Sequence, residues 1–219
     1  SECQKLVQLQ ELRNQRMIEI LDLLSKQVSP PTVYSGVSGI VDENYILNPN
    51  SAYGSSKIAI SQIIKSFCSI NQINWYWFRL FSFFGELENN IWFIPTLIDK
   101  ISKVQKMDMT PGEQKYAYMY VGDLARIIIN VVQADISSGI YNISSSKSIS
   151  LLDLTNKILE IIKPVESKIN FGAIPYRPNQ SMHIQGSNVK LEKELGKKIN
   201  ELNFNDSLEK VVFYKLNKR

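Results

Sequence analysis

The period of the hydrophobic pattern changes repeatedly along the chain, and each change marks an element boundary. Leu6, Leu9, Leu12, Ile20, Leu23 and Leu24 recur at helical spacing and predict a first helical region over residues 5–27. Pro30 and Pro31 break it, and Thr32-Val33-Tyr34-Ser35-Gly36 reads as a short strand running into a turn. A polar loop through Asp42, Glu43 and Asn48 follows. Pro49 and Asn50 end that loop, and Ser51 is placed to cap a helix running to about Asn71.

The run from Trp75 to Phe84 is aromatic and nearly continuous in hydrophobicity, as expected of a parallel strand covered on both faces, and Gly85 ends it. A helix is predicted over residues 91–104, then an alternating strand from Lys115 to Val121, with Asp123 capping a helix from Leu124 to Ala134. Gly139 to Ser144 reads as another strand, and Ser150 with Asp153 forms a capping box for a helix from Leu151 to Ile162 that Pro164 stops. Lys168 to Gly172 predicts a strand and Pro175 to Ser187 an irregular loop. Two short helices near Val189 to Leu195 and Asp206 to Leu216 finish the chain. The alternation implies an α/β fold with a mainly parallel sheet, followed by a smaller mixed lobe.

The 219 residues, 44% hydrophobic, suffice for one large or two small globular units. The net charge of +4 comes from lysines scattered along the whole length, which argues against a nucleic-acid partner. Cys3 and Cys68 are too few and too far apart for a disulfide framework or a metal knuckle, and they suit a reducing cytoplasm. The longest apolar runs, Ile73 to Phe84 and Ile127 to Val132, are too short or too interrupted to span a bilayer, and no apolar signal core opens the chain. A cytoplasmic protein with no membrane partner is expected. The chain begins Ser1-Glu2-Cys3, without methionine and directly in a helical pattern, so it reads as a sequence cut into partway.

The chemistry concentrates in Ser51-Ala52-Tyr53-Gly54-Ser55-Ser56-Lys57. At i and i+4 on one helix face, the Lys57 ammonium comes within a turn of the Tyr53 phenol and can stabilise a tyrosinate, making the phenol a usable acid or base. Tyr214 and Lys218 repeat the spacing at the C-terminus without such surroundings and read as a solvated helix end. Upstream, Ser35 ends a strand on its carboxyl side, where open α/β sheets bind ligands. His183 is the sole histidine, which leaves a histidine triad or metal centre little to build on. Trp75, Trp77 and Phe78 read as core.

Five landmarks stand in order: a serine after a strand, Tyr-Gly-Ser-Ser-Lys, Arg79-Leu80-Phe81-Ser82-Phe83-Phe84-Gly85, Tyr120-Val121-Gly122-Asp123-Leu124-Ala125, and Gly139-Ile140-Tyr141-Asn142-Ile143. Together they resemble the extended short-chain dehydrogenase/reductase family, the nucleotide-sugar epimerases, dehydratases and reductases that hold a nicotinamide cofactor. Trp77 to Glu88, with Gly112-Glu113-Gln114, looks most like the enzymes of lipopolysaccharide O-antigen biosynthesis. The resemblance implies a partial Rossmann-like, doubly wound parallel sheet with a smaller C-terminal mixed α/β substrate-binding lobe. The C-terminal part of the NAD(P)-binding domain would occupy residues 1–85 and the lobe mostly residues 86–219, with 115–145 returning to the sheet.

The resemblance also implies roles. Tyr53 would be the catalytic acid/base, and Lys57 would lower its pKa and hydrogen-bond the nicotinamide ribose of NAD or NADP. Ser35 would hold the reacting sugar oxygen, with Ser38 as the alternative because the intervening loop is short. Phe81 and Phe83 would pass beside the nicotinamide, Ser82 would contact substrate, and Arg177 would grip the diphosphate of a nucleotide-diphosphate sugar. Plain turn positions remain the alternative for Ser35 and Ser38, a surface position for Arg177, a helix cap for Asp123, a strand edge for Gln114 and an exposed position for Asn14. A homodimer through the Tyr53 helix and the preceding one is compatible by analogy.

The chain also departs from the pattern. No G-x-x-G-x-x-G or G-x-G-x-x-G turn follows a strand, so the pyrophosphate cradle is missing, which implies an N-terminally truncated enzyme or else a non-catalytic fragment or pseudoenzyme. Gly36 and Val37 stand where dehydratases carry an Asp-Glu pair, which leaves epimerisation or 4-keto reduction. Tyr116 replaces a basic residue common before the Asp123 motif, while Ser82 and Glu86 replace a common Asn and Pro.

Overall fold

The structure, a computed structural model, describes residue 34 and residues 38–49, 51–178 and 180–218. The predicted helix over residues 5–27, Asn14 and Ser35 lie outside the described residues, and of the predicted Thr32 to Ser35 strand only Tyr34 is described, bridged in parallel to Asn48. In chain order the elements are β1 (Ser38–Val41), α1 (Ala52–Ile70), β2 (Tyr76–Leu80), β3 (Phe83–Phe84), α2 (Phe93–Ser102), β4 (Met107–Asp108), β5 (Lys115–Tyr116) and β6 (Met119–Tyr120). These are followed by α3 (Val121–Ala134), β7 (Gly139–Ile143), β8 (Ile149–Ser150), α4 (Leu151–Ile162), β9 (Ile169–Asn170), β10 (His183–Gly186), α5 (Val189–Leu195) and α6 (Phe204–Asn217).

Helix starts follow local chemistry. Ser51 Oγ accepts from Gly54 N at 3.1 Å and sets the first turn of α1. Ser150 Oγ accepts from Asp153 N at 2.9 Å and donates to Asp153 Oδ2 at 2.6 Å, so the expected pairing of these two residues opens α4. Asp123 behaves differently from its expected capping role. Tyr120 is the residue at the N-cap of α3, and Asp123 sits inside the first turn, 2% exposed, pairing with Arg126 and accepting from Leu202 N at 3.2 and 3.1 Å. Its carboxylate ties the chain before α6 to α3.

The expected parallel arrangement dominates. β2 runs parallel to β7, Tyr76 facing Gly139 through Leu80 facing Ile143. The apolar run from Trp75 to Phe84 is two strands, because the backbone changes partner within it. Phe81 N still donates to Ile143 O at 3.1 Å, whereas Ser82 O accepts from Met119 N at 2.9 Å, and β3 then pairs parallel with β6. A second sheet has the order β1-β10-β5-β8, parallel except for β5 against β8, and β4 pairs with β9.

Two strands appear where loops were expected. β1 lies in the polar stretch after Tyr34 and β10 in the Pro175 to Ser187 stretch, paired in register from Ser38 against His183 to Val41 against Gly186. Each is a short strand whose partner lies far away in sequence, so neither carries a local signal. Likewise the alternating Lys115 to Val121 stretch divides into β5 and β6 around the buried Ala117, with Val121 already in α3.

All described residues belong to one compact unit, and its apolar side chains form three clusters. Leu124, Ile127 and Val131 of α3 pack with Tyr141 and Ile143 of β7 and Leu191 of α5. Phe84 centres a second cluster from α2, α4 and α6, including Leu97, Leu154 and Val211. Tyr34, Val41, Phe81 and Ile184 form the third. Trp77 is buried as expected of core, while Trp75 and Phe78 are half-buried. Helix α1 buries Gly54, Ser61 and Cys68 and leaves Ile63, Phe67 and Ile70 exposed.

Candidate active site

The capped first turn of α1 brings Tyr53 and Lys57 together: Lys57 Nζ stands 5.3 Å from the centroid of the half-buried Tyr53 ring. Burial pushes the phenol above its ordinary pKa, against the downward pull that the resemblance assigns to Lys57. The Tyr214 and Lys218 pair closes to a 2.8 Å hydrogen bond at the exposed end of α6. Spacing alone therefore brings such pairs together.

The three aromatic residues after Leu80 part company. Phe81 is buried in the cluster with Tyr34 and Ile184, Phe83 packs half-buried against the β7 cluster, and Phe84 is at the heart of the C-terminal one. Phe81 and Phe83 thus do not share a face, and Ser82 between them is buried with its carbonyl committed to Met119 N. Gly186 closes over Phe81 so tightly that a Cβ there would stand 2.3 Å from the ring.

In β1, alternation places Val41 in the Phe81 cluster and turns Ser38 to the opposite face, where it is exposed beside His183. Arg177 is exposed before β10, its N–H donating to Gln180 Oε1 at 3.4 Å. Gln180 Nε2 in turn donates to the Tyr116 hydroxyl at 3.2 Å. Burial raises the Tyr116 phenol, and the Gln180 contact and the Arg177 charge pull it the other way. Gln114 is buried, its Nε2 donating to Thr110 Oγ1 at 3.0 Å, so the side chain is occupied within its own turn.

Sequence reasoning passed over a network beneath Phe81. Arg79 Nη1 donates to the Tyr34 hydroxyl at 3.0 Å and to Glu43 O at 2.9 Å, and the Tyr34 ring stacks on Phe81 with centroids 6.1 Å apart. A lone arginine inside an apolar strand was the available signal, since a guanidinium drawn partly out of water needs acceptors.

Residues 14–144 match the NAD dependent epimerase/dehydratase family, and the chain belongs to it. A Methanocaldococcus jannaschii protein described as "Putative UDP-glucose 4-epimerase" is 29% identical over 159 residues, covering 67% of this chain and 50% of that protein. The low-salt glycan biosynthesis protein Agl12 of Haloferax volcanii is 26% identical over 192 residues, covering 87% of this chain and 61% of that protein. The chain therefore spans about half to three fifths of the length of these relatives. Among solved structures, UDP-glucuronic acid 4-epimerase from Bacillus cereus, in complex with UDP-glucuronic acid and NAD, superposes with a TM-score of 0.77 at 20% identity, over 87% of this chain and 60% of that one. That likeness shows a Rossmann-like α/β fold. Among the described residues no helix is long and apolar enough to cross a membrane, and no group of histidine, cysteine and acidic residues could hold a metal ion.

Proposed function

We propose that this chain carries the proton-transfer site of an NAD(P)-dependent nucleotide-sugar epimerase or 4-keto reductase. One observation supports the reading most: a lysine held over a tyrosine ring in the first turn of a serine-capped helix, in the NAD dependent epimerase/dehydratase family. The described residues fit the nicotinamide half of the cofactor. Lys57 would supply a donor for the ribose, and Phe81 would supply an apolar wall at the carboxyl end of β2. NAD or NADP held there would supply the hydride acceptor and donor.

The chain's own residues would handle the proton. Tyr53 gives its phenolic proton to the sugar oxygen or withdraws one from it, and Lys57 offsets the burial that disfavours the tyrosinate. Ser35, or Ser38 in its place, would donate a hydrogen bond to the same oxygen as charge develops. Ser82 would border the sugar, Phe83 would support Phe81 from the other side of the strand, and Arg177 would take the diphosphate of the nucleotide-diphosphate sugar. We extend the proposal to a cytoplasmic enzyme of surface polysaccharide biosynthesis, lipopolysaccharide O-antigen included, a setting in keeping with the glycan role in the Haloferax protein's name. A division near residue 85, with residues 115–145 in the sheet, accords with the α3 and β7 cluster lying apart from the C-terminal one. A homodimer belongs to the same proposal.

The test supplies the natural full-length chain with NADH and a 4-keto nucleotide sugar, and separately with UDP-glucose. The expected results are loss of nicotinamide absorbance in the first and a 4-epimer in the second, with one of the two prevailing. Tyr53→Phe should abolish either, and normal turnover by that variant would sink the assignment. The second reading is a non-catalytic binding module. Titrating the chain with NAD(P)H separates the two, since tight binding rules the module out.

A further inference from the structure

We propose that Arg79 is a positioning residue that staples both ends of the segment from Tyr34 to Glu43 and, through Tyr34, holds that segment against Phe81. The inference rests on the proposed function, because the segment matters to chemistry only if its serine hydroxyl acts with Tyr53.

A single guanidinium nitrogen makes the staple. Arg79 Nη1 donates to the Tyr34 hydroxyl at 3.0 Å and to the Glu43 carbonyl at 2.9 Å, so residues nine apart in sequence meet on one atom of β2. Asn142, which faces Arg79 across the β2 and β7 pair, reaches the same segment. Its N–H donates to Glu43 Oε1 at 2.8 Å and its Nδ2 to Val41 O at 3.0 Å. Fixing both ends of a short segment lowers its remaining freedom, and a charged donor on a buried phenol oxygen makes one of the stronger hydrogen bonds.

The staple also carries direction. Tyr34 is 2% exposed, stacked on Phe81 at 19° between ring planes, edge-on to Tyr45 at 5.9 Å, and capped by the Arg79 guanidinium 5.9 Å from its centroid. The next residue in sequence is Ser35. Ser38, in β1 opposite His183, also lies between the two residues that Arg79 holds, so a displacement of Tyr34 and Glu43 bears on a candidate serine. Burial keeps the Tyr34 phenol neutral at working pH, so its oxygen stays an acceptor for Arg79 without titrating.

The experiment uses the natural full-length chain and the nucleotide sugar turned over in the assay above, comparing Tyr34→Phe, Arg79→Lys, the double variant Ser35→Ala/Ser38→Ala, and Tyr34→Phe added to that double variant. Tyr34→Phe keeps the ring stack and loses only the hydroxyl. It and Arg79→Lys should each lower kcat roughly tenfold, with the KM for the nucleotide sugar and the Kd for NADH unchanged. Without the serine hydroxyls, Tyr34→Phe should cost nothing more, since groups that act through one another are not additive. Loss of turnover in the serine variant combined with full turnover in Tyr34→Phe and Arg79→Lys overturns the staple alone. So does a Tyr34→Phe loss that multiplies with the serine loss, or one that follows a fall in folded fraction by far-UV circular dichroism. Full turnover by the serine variant overturns the role of the hydroxyl in the proposed function instead.

Discussion

Lys57 carries its ammonium to 5.3 Å from the centre of the Tyr53 ring, one turn further along α1. Burial raises the phenol, and under the proposed function the nearby positive charge would be the opposing influence. Lys57→Met removes it, leaving the phenol to desolvation. In the full-length enzyme kcat should fall by roughly a hundredfold or more, and its rising pH limb should move upward. A pH profile of Lys57→Met identical to that of the parent would show that the pair does not work this way.

Glu88 presents a pH test of the fold itself. Its carboxyl is pushed up to about 7 by burial, only partly countered by Lys215, and its Oε2 has no hydrogen-bond partner among the described residues. A carboxyl whose folded pKa exceeds its unfolded one binds more protons when folded, so stability falls as pH rises. The window runs from the ordinary carboxyl value of 4.5 to about 7, and the whole effect is on the order of 3 kcal/mol. Glu88→Gln should flatten this slope and be more stable than the parent at pH 8, as read from urea midpoints across the range.

Gly186 is required for close approach rather than for backbone freedom. A methyl group there would stand 2.3 Å from the Phe81 ring and force the stack on Tyr34 apart. Gly186→Ala should cost about 1–3 kcal/mol of stability by overpacking. It should also weaken NADH binding if Phe81 borders the nicotinamide, which a fluorescence titration checks.

Asp123 is predicted to matter for stability and not for turnover. Asp123→Ala leaves Leu202 N without its acceptor, while Arg126, half exposed, regains water. A loss of roughly 1–3 kcal/mol follows, with KM and kcat unchanged in the folded enzyme. Chemical denaturation alongside steady-state kinetics separates these outcomes.

The legible features share a short range. Ser51 on Gly54 N, Ser150 on Asp153 N and Lys57 over Tyr53 each join residues three or four apart, and such contacts depend on little beyond the local helix. The run from Trp75 to Phe84 was legible as extended chain, but its break at Ser82 was not. That break comes from the donor Met119 N, which is supplied by a strand from another part of the chain.

By itself, then, the sequence determined where the helices opened by Ser51 and Ser150 begin, that strands alternate with helices, and that a phenol and an ammonium share one turn. Only tertiary structure decided that β1 pairs with β10, that Phe81 and Phe83 enter different cores, and that Arg79 binds Tyr34 and Glu43 at once. The physical reason is the distance along the chain over which each interaction is made. Caps and i, i+4 pairs form within a single turn, whereas strand partners, stacking faces and acceptors for a buried cation exist only after remote segments have been brought together by burial of apolar surface.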